Sequence, residues 1–185
     1  VAPGTYVENV TMPAVNLSII PLSDGGNYTI AGDFDITATY DGKKFYIIGA
    51  ILQGDFNEAN NTSSCNGNLI NELNIINCHF LQDFRPSPCV ITNLYYSTFN
   101  ENSSSETGMY KEVIGNKFYS LGSYAFTFEF RLINNNWAAA ANALYGGDKT
   151  MKIYANHFVN MAVTINYSSY DSWCDDVHIA NNFFE

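Results

Sequence analysis

The sequence predicts an all-β, single-stranded parallel solenoid, in which each coil of the chain stacks on the coil before it. Three observations predict this fold. An apolar anchor, in most cases aromatic, recurs along the chain at nearly even steps. Within each repeat the apolar residues alternate as they do in strands. Asn, a residue that favours turns, is abundant in a chain with 15% aromatic residues.

The repeat places an aliphatic residue five positions before the anchor, and Asn or a small residue two positions before it. Successive anchors are 28, 19, 19, 19, 21 and 26 residues apart. No sustained helical stripe lies between them, so strands and turns fill each step. A repeat of this length predicts about seven or eight coils, stacked about 4.8 Å apart. The anchors are Leu52, Phe80, Phe99, Phe118, Trp137, Phe158 and Phe184.

Each repeat predicts one coil of a single domain over residues 1–185. The longer steps and the polar stretches predict loops at about 57–68, 100–108 and 167–176. The chain opens without an initiator Met and shows no cap, although solenoids need covered ends. We therefore expect a fragment or processed part of a larger protein.

The position two before each anchor predicts a ladder of stacked polar side chains at one corner of the coil. The amide of Asn both donates and accepts hydrogen bonds, so copies one above another can bond to each other and to the turn backbone. The anchors themselves are predicted to stack inside as an aromatic column. The predicted ladder consists of Cys78, Ser97, Asn116, Asn135, Asn156 and Asn182.

The position four before each anchor predicts an apolar stripe on the outside of the coil. If the residues five before the anchor point inward, the next residues point outward, because strand side chains alternate. A contiguous exposed apolar surface indicates an interface. Alternatively, the strand bends at the turn or a loop covers the stripe. The predicted ligand or interface residues are Ile76, Tyr95, Ile114, Ile133 and Tyr154.

The charge balance and the length of the apolar runs argue against two classes of partner. The chain has 18 acidic and 8 basic residues and a net charge of -10, which argues against nucleic acid, whose backbone needs clustered Lys and Arg. No apolar run reaches the roughly 18 residues of a membrane span, so we expect no membrane insertion. Four Cys and several Asn-x-Ser/Thr sequons favour an extracellular, cell-surface or virion-surface location.

The repeated Ile-x-x-Asn-x-Phe pattern over residues 45–184 resembles the right-handed parallel β-helix proteins of the pectin-lyase-like superfamily. The opening Pro3-Gly4-Thr5-Tyr6 is similar to the first coil of pectin methylesterases and related carbohydrate-active β-helices. The resemblance implies a right-handed β-helix. In that family the opening segment is structural, so it implies no catalytic role.

The catalytic motifs of the family are matched only in fragments. Gln82 and Asp83 are similar to the Gln-Asp-Thr-Leu segment of pectin methylesterases, but the block with the nucleophilic Asp does not follow. Asp175 and Asp176 resemble the Asp-Asp block of polygalacturonases without its partners. A glycosidase needs two carboxylates with different roles on one face, and the acidic residues share no common column. The resemblance therefore implies Gln82, Asp83, Asp175 and Asp176 as catalytic residues only if the chain is an enzyme.

We expect a non-catalytic structural or recognition β-helix of a virion or cell surface, such as a spike, capsid component or adhesin. It would bind carbohydrate or protein through lateral grooves and loops, and it would associate through the stripe as a homotrimer or with a lateral protein partner. The alternative is a polysaccharide-active enzyme: a pectin or uronate lyase, a glycoside hydrolase or a pectin methylesterase-like esterase. We expect no cofactor and no metal, since the three His residues form no close pair.

Overall fold

Parallel strand pairing dominates the structure, a computed structural model that describes residues 1–13, 15–22, 26–36, 43–58, 71–85, 90–101, 105–130, 150–167 and 176–185. All described strand pairs are parallel. Within these ranges the regular structure is entirely β, which confirms the predicted all-β class. The same residues include no helix of the length and apolarity that a bilayer crossing would need.

The described strands divide into a sheet of fifteen strands and a sheet of four, the latter ordered β11-β8-β5-β2. Most are short because turns interrupt them at each corner of the coil. In chain order the strands are β1 (Gly4–Tyr6), β2 (Val10–Met12), β3 (Leu17–Ile19), β4 (Tyr28–Ile30), β5 (Phe34–Ile36), β6 (Lys44–Ile48), β7 (Ala50–Leu52), β8 (Phe56–Glu58), β9 (Asn71–Ile76), β10 (His79–Phe80), β11 (Phe84–Arg85), β12 (Val90–Tyr95), β13 (Thr98–Glu101), β14 (Ser105–Ile114), β15 (Lys117–Phe130), β16 (Thr150–Tyr154), β17 (His157–Tyr167), β18 (Asp176–Ala180) and β19 (Phe183–Phe184).

The pairing register gives the molecule a solenoid-like architecture. Most of the described strands pair with strands a coil earlier and a coil later in the chain, as β9 does with β6 and β12. Equivalent residues therefore stack in columns, because parallel strands stand about 4.8 Å apart. One inward column consists of Ile19, Ile47, Ile75, Leu94, Val113, Ile153 and Ile179.

The anchors stack inside the coil as an aromatic column. The rings of Phe80, Phe99, Phe118 and Phe158 lie nearly parallel, with neighbouring centroids 4.9, 5.0 and 5.0 Å apart. These four side chains are buried, and Leu52 below them is buried as well. Phe184 stacks on Phe158 at 5.1 Å and remains exposed on its other side.

A polar ladder lies at the corner next to this column. The backbone N–H of Cys78 donates to Ser97 Oγ at 3.0 Å, and that of Ser97 donates to Asn116 Oδ1 at 2.9 Å. Asn116 donates in the same way to Asn156 Oδ1, and Asn156 to Asn182 Oδ1, both at 2.9 Å. The side-chain oxygens thus satisfy corner N–H groups that would otherwise be buried without a partner.

A second corner carries Asx residues that precede the short strands of the four-stranded sheet. Asp33 N–H donates to Asn9 Oδ1 at 3.0 Å, and Asp55 N–H donates to Asp33 Oδ1 at 3.0 Å. Asp83 occupies the corresponding position before β11. Behind these residues the Phe34 and Phe56 rings stack at 5.4 Å. The sequence signal is an Asp-Phe pair at 33–34, 55–56 and 83–84.

The structure differs from the predicted repeat at the fifth anchor. In the predicted ladder Asn135 stands between Asn116 and Asn156. In the structure Asn116 and Asn156 are hydrogen bonded directly to each other. The spacing of the anchors alone cannot distinguish a complete coil from an insertion within a coil. Asn135, Ile133 and Trp137 themselves lie outside the described residues. Of the expected loops, the described part of 100–108 belongs to β13 and β14 instead.

Candidate functional site

An outward face of the fifteen-stranded sheet carries several polar and charged side chains that converge on one cavity. Ile48, Ile76, Tyr95, Ile114 and Tyr154 lie in one row across β6, β9, β12, β14 and β16. Each of them is partly buried. The row that the sequence predicts is therefore present for these residues, with part of each side chain covered. Ile133 lies outside the described residues.

A β-bulge interrupts the pairing of β12 with β14 beside this row. Thr92 pairs with Tyr110 and Asn93 with Glu112, so Lys111 is one extra residue on β14. Tyr110 and Val113 are both buried, and between them Lys111 and Glu112 both face the outside. In a regular strand two consecutive residues point to opposite faces. The bulge thus brings an additional charged side chain to the outer face, and such bulges are common beside functional sites.

A cleft of about 240 Å³ lies beside the bulge on this face. We call it the bulge cleft. Three lysines and two glutamates lie in or beside it, in a chain that is otherwise strongly acidic. Its lining consists of Lys44, Glu72, Asn74, Ile91, Asn93, Tyr95, Lys111 and Glu112.

Two stacked amides form the floor of the bulge cleft. Asn93 Nδ2 donates to Asn74 Oδ1 at 3.0 Å, and each side chain is only 5% exposed. Asn93 Oδ1 accepts the backbone N–H of Glu112 at 3.2 Å, next to the residue that the bulge inserts. Because both amides are buried and hydrogen bonded, their orientation is fixed.

Glu72 stands over the two amides. Its Oε1 accepts from Asn74 Nδ2 at 3.2 Å and from Asn93 Nδ2 at 3.5 Å. Its Oε2 pairs with Lys44 Nζ at 3.0 Å, and this contact raises the pKa of Lys44. Lys44 is therefore a cation over the whole neutral range, and the pair closes one side of the cleft.

Glu112 occupies the opposite side with both oxygens engaged. Tyr95 Oη donates to Oε2 at 2.6 Å, and Lys152 Nζ pairs with Oε1 at 3.1 Å. Burial opposes ionisation of Glu112, but these two hydrogen bonds and the charges of Lys152 and Lys111 outweigh it and lower its pKa. Burial, followed by the bond to Glu112, raises the pKa of Tyr95. At neutral pH Glu112 is thus an anion and Tyr95 a neutral phenol.

This arrangement suits binding better than proton transfer. A carboxylate pair in a glycosidase includes one acid whose pKa is raised, so that it can protonate a leaving group. The pKa of Glu112 moves in the opposite direction. The cleft does offer fixed acceptors on the two glutamates, donors on the lysines and a partly exposed Tyr95 ring. These are the groups that bind a polyhydroxylated ring.

The residues suggested by the catalytic motifs lie elsewhere. Asp83 is buried before β11 in the four-stranded sheet and forms an ion pair with Arg85. Gln82 beside it is exposed. Asp176 begins β18, but its side chain is not described, and Asp175 lies outside the described residues. Asp83 and Gln82 therefore belong to the second corner and do not line the bulge cleft.

Sequence reasoning missed the residues that make the cleft. Asn74 and Asn93 are strand residues, whereas abundant Asn is ordinarily a sign of turns. A usable signal existed, because both lie six positions before an anchor. Glu112 and Lys152 occupy the same position in their own repeats.

Among the described residues, no three His, Cys, Asp or Glu side chains are grouped so that they could hold a metal ion. Comparisons of the chain with models of protein families, with curated proteins and with solved structures give no match.

Proposed function

We propose that the protein is a non-catalytic recognition module of a cell or virion surface that binds carbohydrate in the bulge cleft. The observation that carries this proposal is the fixed polar frame of the cleft: two buried amides, two ion-paired carboxylates and the Tyr95 ring. Groups held in place in advance lose little entropy when a ligand binds. The volume of about 240 Å³ has room for one pyranose ring.

The finer description of the fold belongs to the same proposal. We propose a right-handed, single-stranded β-helix of the pectin-lyase-like type with about seven or eight coils. The parallel register, the polar ladder and the stacked Phe column support it. A right-handed crossover is also the rule for parallel strands joined within one sheet.

Lateral association through the apolar row is the proposed assembly. Ile76, Ile114 and Tyr154 each keep part of the side chain exposed, and a homotrimer or a lateral protein partner would cover them. Light scattering tests this part. The expected result is a trimer that Ile114→Lys converts to a monomer, and a wild-type monomer at high concentration would contradict it.

A polysaccharide-active enzyme is the second candidate, and one observation favours it. Glu72 and Glu112 lie on the same cleft, as the two carboxylates of a glycosidase do. A lyase, hydrolase or esterase acting there would depend on at least one of these groups.

A panel of neutral and acidic oligosaccharides separates the two candidates. Calorimetry measures binding, and release of reducing ends, unsaturated products or methanol measures turnover. We expect binding with no turnover, and weaker binding by Glu112→Gln. Turnover by the wild type that Glu72→Gln or Glu112→Gln abolishes would establish the enzyme instead. Asp83→Ala and Asp175→Ala test the family motifs in the same assay.

A further inference from the structure

A row of residues with left-handed backbone follows the outward strands at the ladder corner. Each stands three positions before a repeat anchor. This conformation suits Gly and Asn and disfavours other residues, because Cβ approaches the following carbonyl oxygen. Four of the six members obey this preference. The row, with φ in degrees, is Gly49 (69), Asn77 (53), Tyr96 (51), Gly115 (68), Ala155 (55) and Asn181 (57).

Tyr96 is the exception with a large side chain. A bulky residue with positive φ is a backbone outlier, and such outliers cluster at functional sites. The corner does not require Tyr, since Asn77 serves the same position one coil earlier. Tyr96 is also 66% exposed, so burial of its ring does not explain the choice.

The neighbouring coil provides room for the Tyr96 ring. A Cβ added to Gly115 would stand 2.6 Å from Tyr96 Cδ1 and 2.7 Å from Cε1. The ring therefore lies against Gly115, where any larger residue would displace it. Both backbones are tied to the next coil, because Tyr96 N–H donates to Ile114 O at 3.0 Å and Gly115 N–H donates to Tyr154 O at 2.9 Å. One flank of the ring is supported and much of the rest is open to solvent.

The position of the ring connects it to the bulge cleft. Tyr95, the preceding residue, lines the cleft and donates to Glu112. We propose that Tyr96 is a stacking platform for a second sugar ring of a ligand whose first ring occupies the bulge cleft. This inference rests on the proposed carbohydrate binding. The apolar C–H face of a pyranose packs on an aromatic face, which presents a large rigid surface at low entropic cost.

The platform predicts a dependence on ligand length. A monosaccharide fills the cleft alone and does not reach Tyr96. A disaccharide or longer ligand gains the contact with the ring. We therefore expect oligosaccharides to bind more tightly than their monosaccharide units. The contact with the Tyr96 ring accounts for this gain in affinity.

The test replaces Tyr96 with the residue that its backbone prefers. For Tyr96→Asn we expect a Tm about 2–4 °C higher, because the strain is relieved. Affinity for oligosaccharides is expected to fall about tenfold, with affinity for the monosaccharide unchanged. Ala155→Asn is the matched control, since it relieves the same strain at the same corner without removing a ring. It should raise Tm and leave both affinities unchanged.

Two further variants keep the test decisive if Tyr96→Asn folds poorly. Tyr96→Phe retains the ring and should bind oligosaccharides as the wild type does, whereas Tyr96→Leu should lose the gain with length. If the wild type binds oligosaccharides and Tyr96→Asn or Tyr96→Leu binds them equally well, the platform is wrong and the cleft proposal stands. If the wild type binds no sugar at all, the proposed function fails and the platform fails with it.

Discussion

Asn156 Oδ1 accepts two hydrogen bonds from Asn116, one from the backbone N–H at 2.9 Å and one from the side-chain amide at 3.1 Å. The two residues are 40 positions apart in the sequence and one coil apart in the structure. Asn156 Nδ2 in turn donates to Val113 O at 2.8 Å and to Asn182 Oδ1 at 2.9 Å. One buried side chain thus joins three successive levels of the corner.

Asn156→Ala is expected to lower the free energy of unfolding by about 2–4 kcal/mol, because it leaves buried partners unsatisfied on both sides. Urea unfolding measures the loss. Asn182→Ala is the control, since Asn182 is only partly buried, and it should cost clearly less. Equal small losses for both variants would show that the ladder contributes little to stability.

Phe99 tests the aromatic column. Its ring is fully buried and stacks on Phe80 at 4.9 Å and on Phe118 at 5.0 Å. We expect Phe99→Ala to lower the free energy of unfolding by about 3–5 kcal/mol, because it opens a cavity in the centre of the core. Phe184→Ala, at a ring 59% exposed, should cost much less. A similar loss for both variants in denaturant unfolding would contradict the column as the core.

The repeat in the sequence predicts the stacked columns but does not predict the bulge beside the cleft. Phe99 and Asn116 follow from a repeat, because each stacks on its own equivalent one coil away. The bulge at Lys111 cannot be predicted from the repeat, because a compensating difference hides it. The segment from Phe99 to Tyr110 is one residue shorter than the equivalent segment from Phe80 to Thr92. The insertion is balanced within the coil, and the anchor step stays at 19 residues.

The site residues were less predictable for a related reason. A local motif suggests Asp83, but in the structure it occupies the position before β11 that Asp55 occupies before β8, and its side chain pairs with Arg85. Glu112 is not recognisable as a site residue in the sequence, because a single repeat does not show that Tyr95 and Lys152 converge on it. Side-chain convergence between coils depends on the register and the bulge, which local sequence does not determine.

Gly115→Ala tests the close approach of the Tyr96 ring. The variant combines an unfavourable positive φ with a Cβ that would overlap the ring. Gly49→Ala is a matched control with nearly the same φ, because its Cβ would meet only Pro21 at 3.4 Å. We expect Gly49→Ala to cost about 1–2 kcal/mol of unfolding free energy, and Gly115→Ala to cost more.

In the Tyr96→Asn background, Gly115→Ala should cost only as much as Gly49→Ala costs in the wild type, since the overlapping ring is gone. Thermal unfolding of the wild type, the three single variants and the double variant gives the comparison. If Gly115→Ala costs no more than Gly49→Ala with Tyr96 in place, the ring does not occupy the space above Gly115.

The ionisation of Glu112 tests the polar frame of the cleft. Its pKa is lowered from 4.5, although burial opposes this, by the Tyr95 and Lys152 hydrogen bonds and by the lysine charges. A carboxyl whose pKa is lower in the folded state stabilises the fold above its unfolded pKa. That stabilisation is lost as the pH falls from about 4.5 through the folded pKa.

A carbon-detected NMR titration of the Glu112 carboxyl measures this pKa. We expect a value below 4.5 in the wild type and a higher value in Tyr95→Phe, which removes one of the two donors. Lys152→Met should raise the pKa as well. A wild-type pKa above 4.5 would contradict the ion pair and would favour Glu112 as a proton donor in the enzyme alternative.

Deletion of Lys111 tests most directly whether the bulge builds the binding site. The deletion makes Tyr110 and Glu112 consecutive opposite Thr92 and Asn93, so regular pairing closes the bulge while the strand remains. Lys111→Ala is the control that keeps the bulge and removes only the ammonium group. Calorimetry with the tightest-binding oligosaccharide should show at least about a hundredfold loss of affinity for the folded deletion variant, and a much smaller loss for Lys111→Ala. Wild-type affinity in the folded deletion variant would show that carbohydrate binds elsewhere.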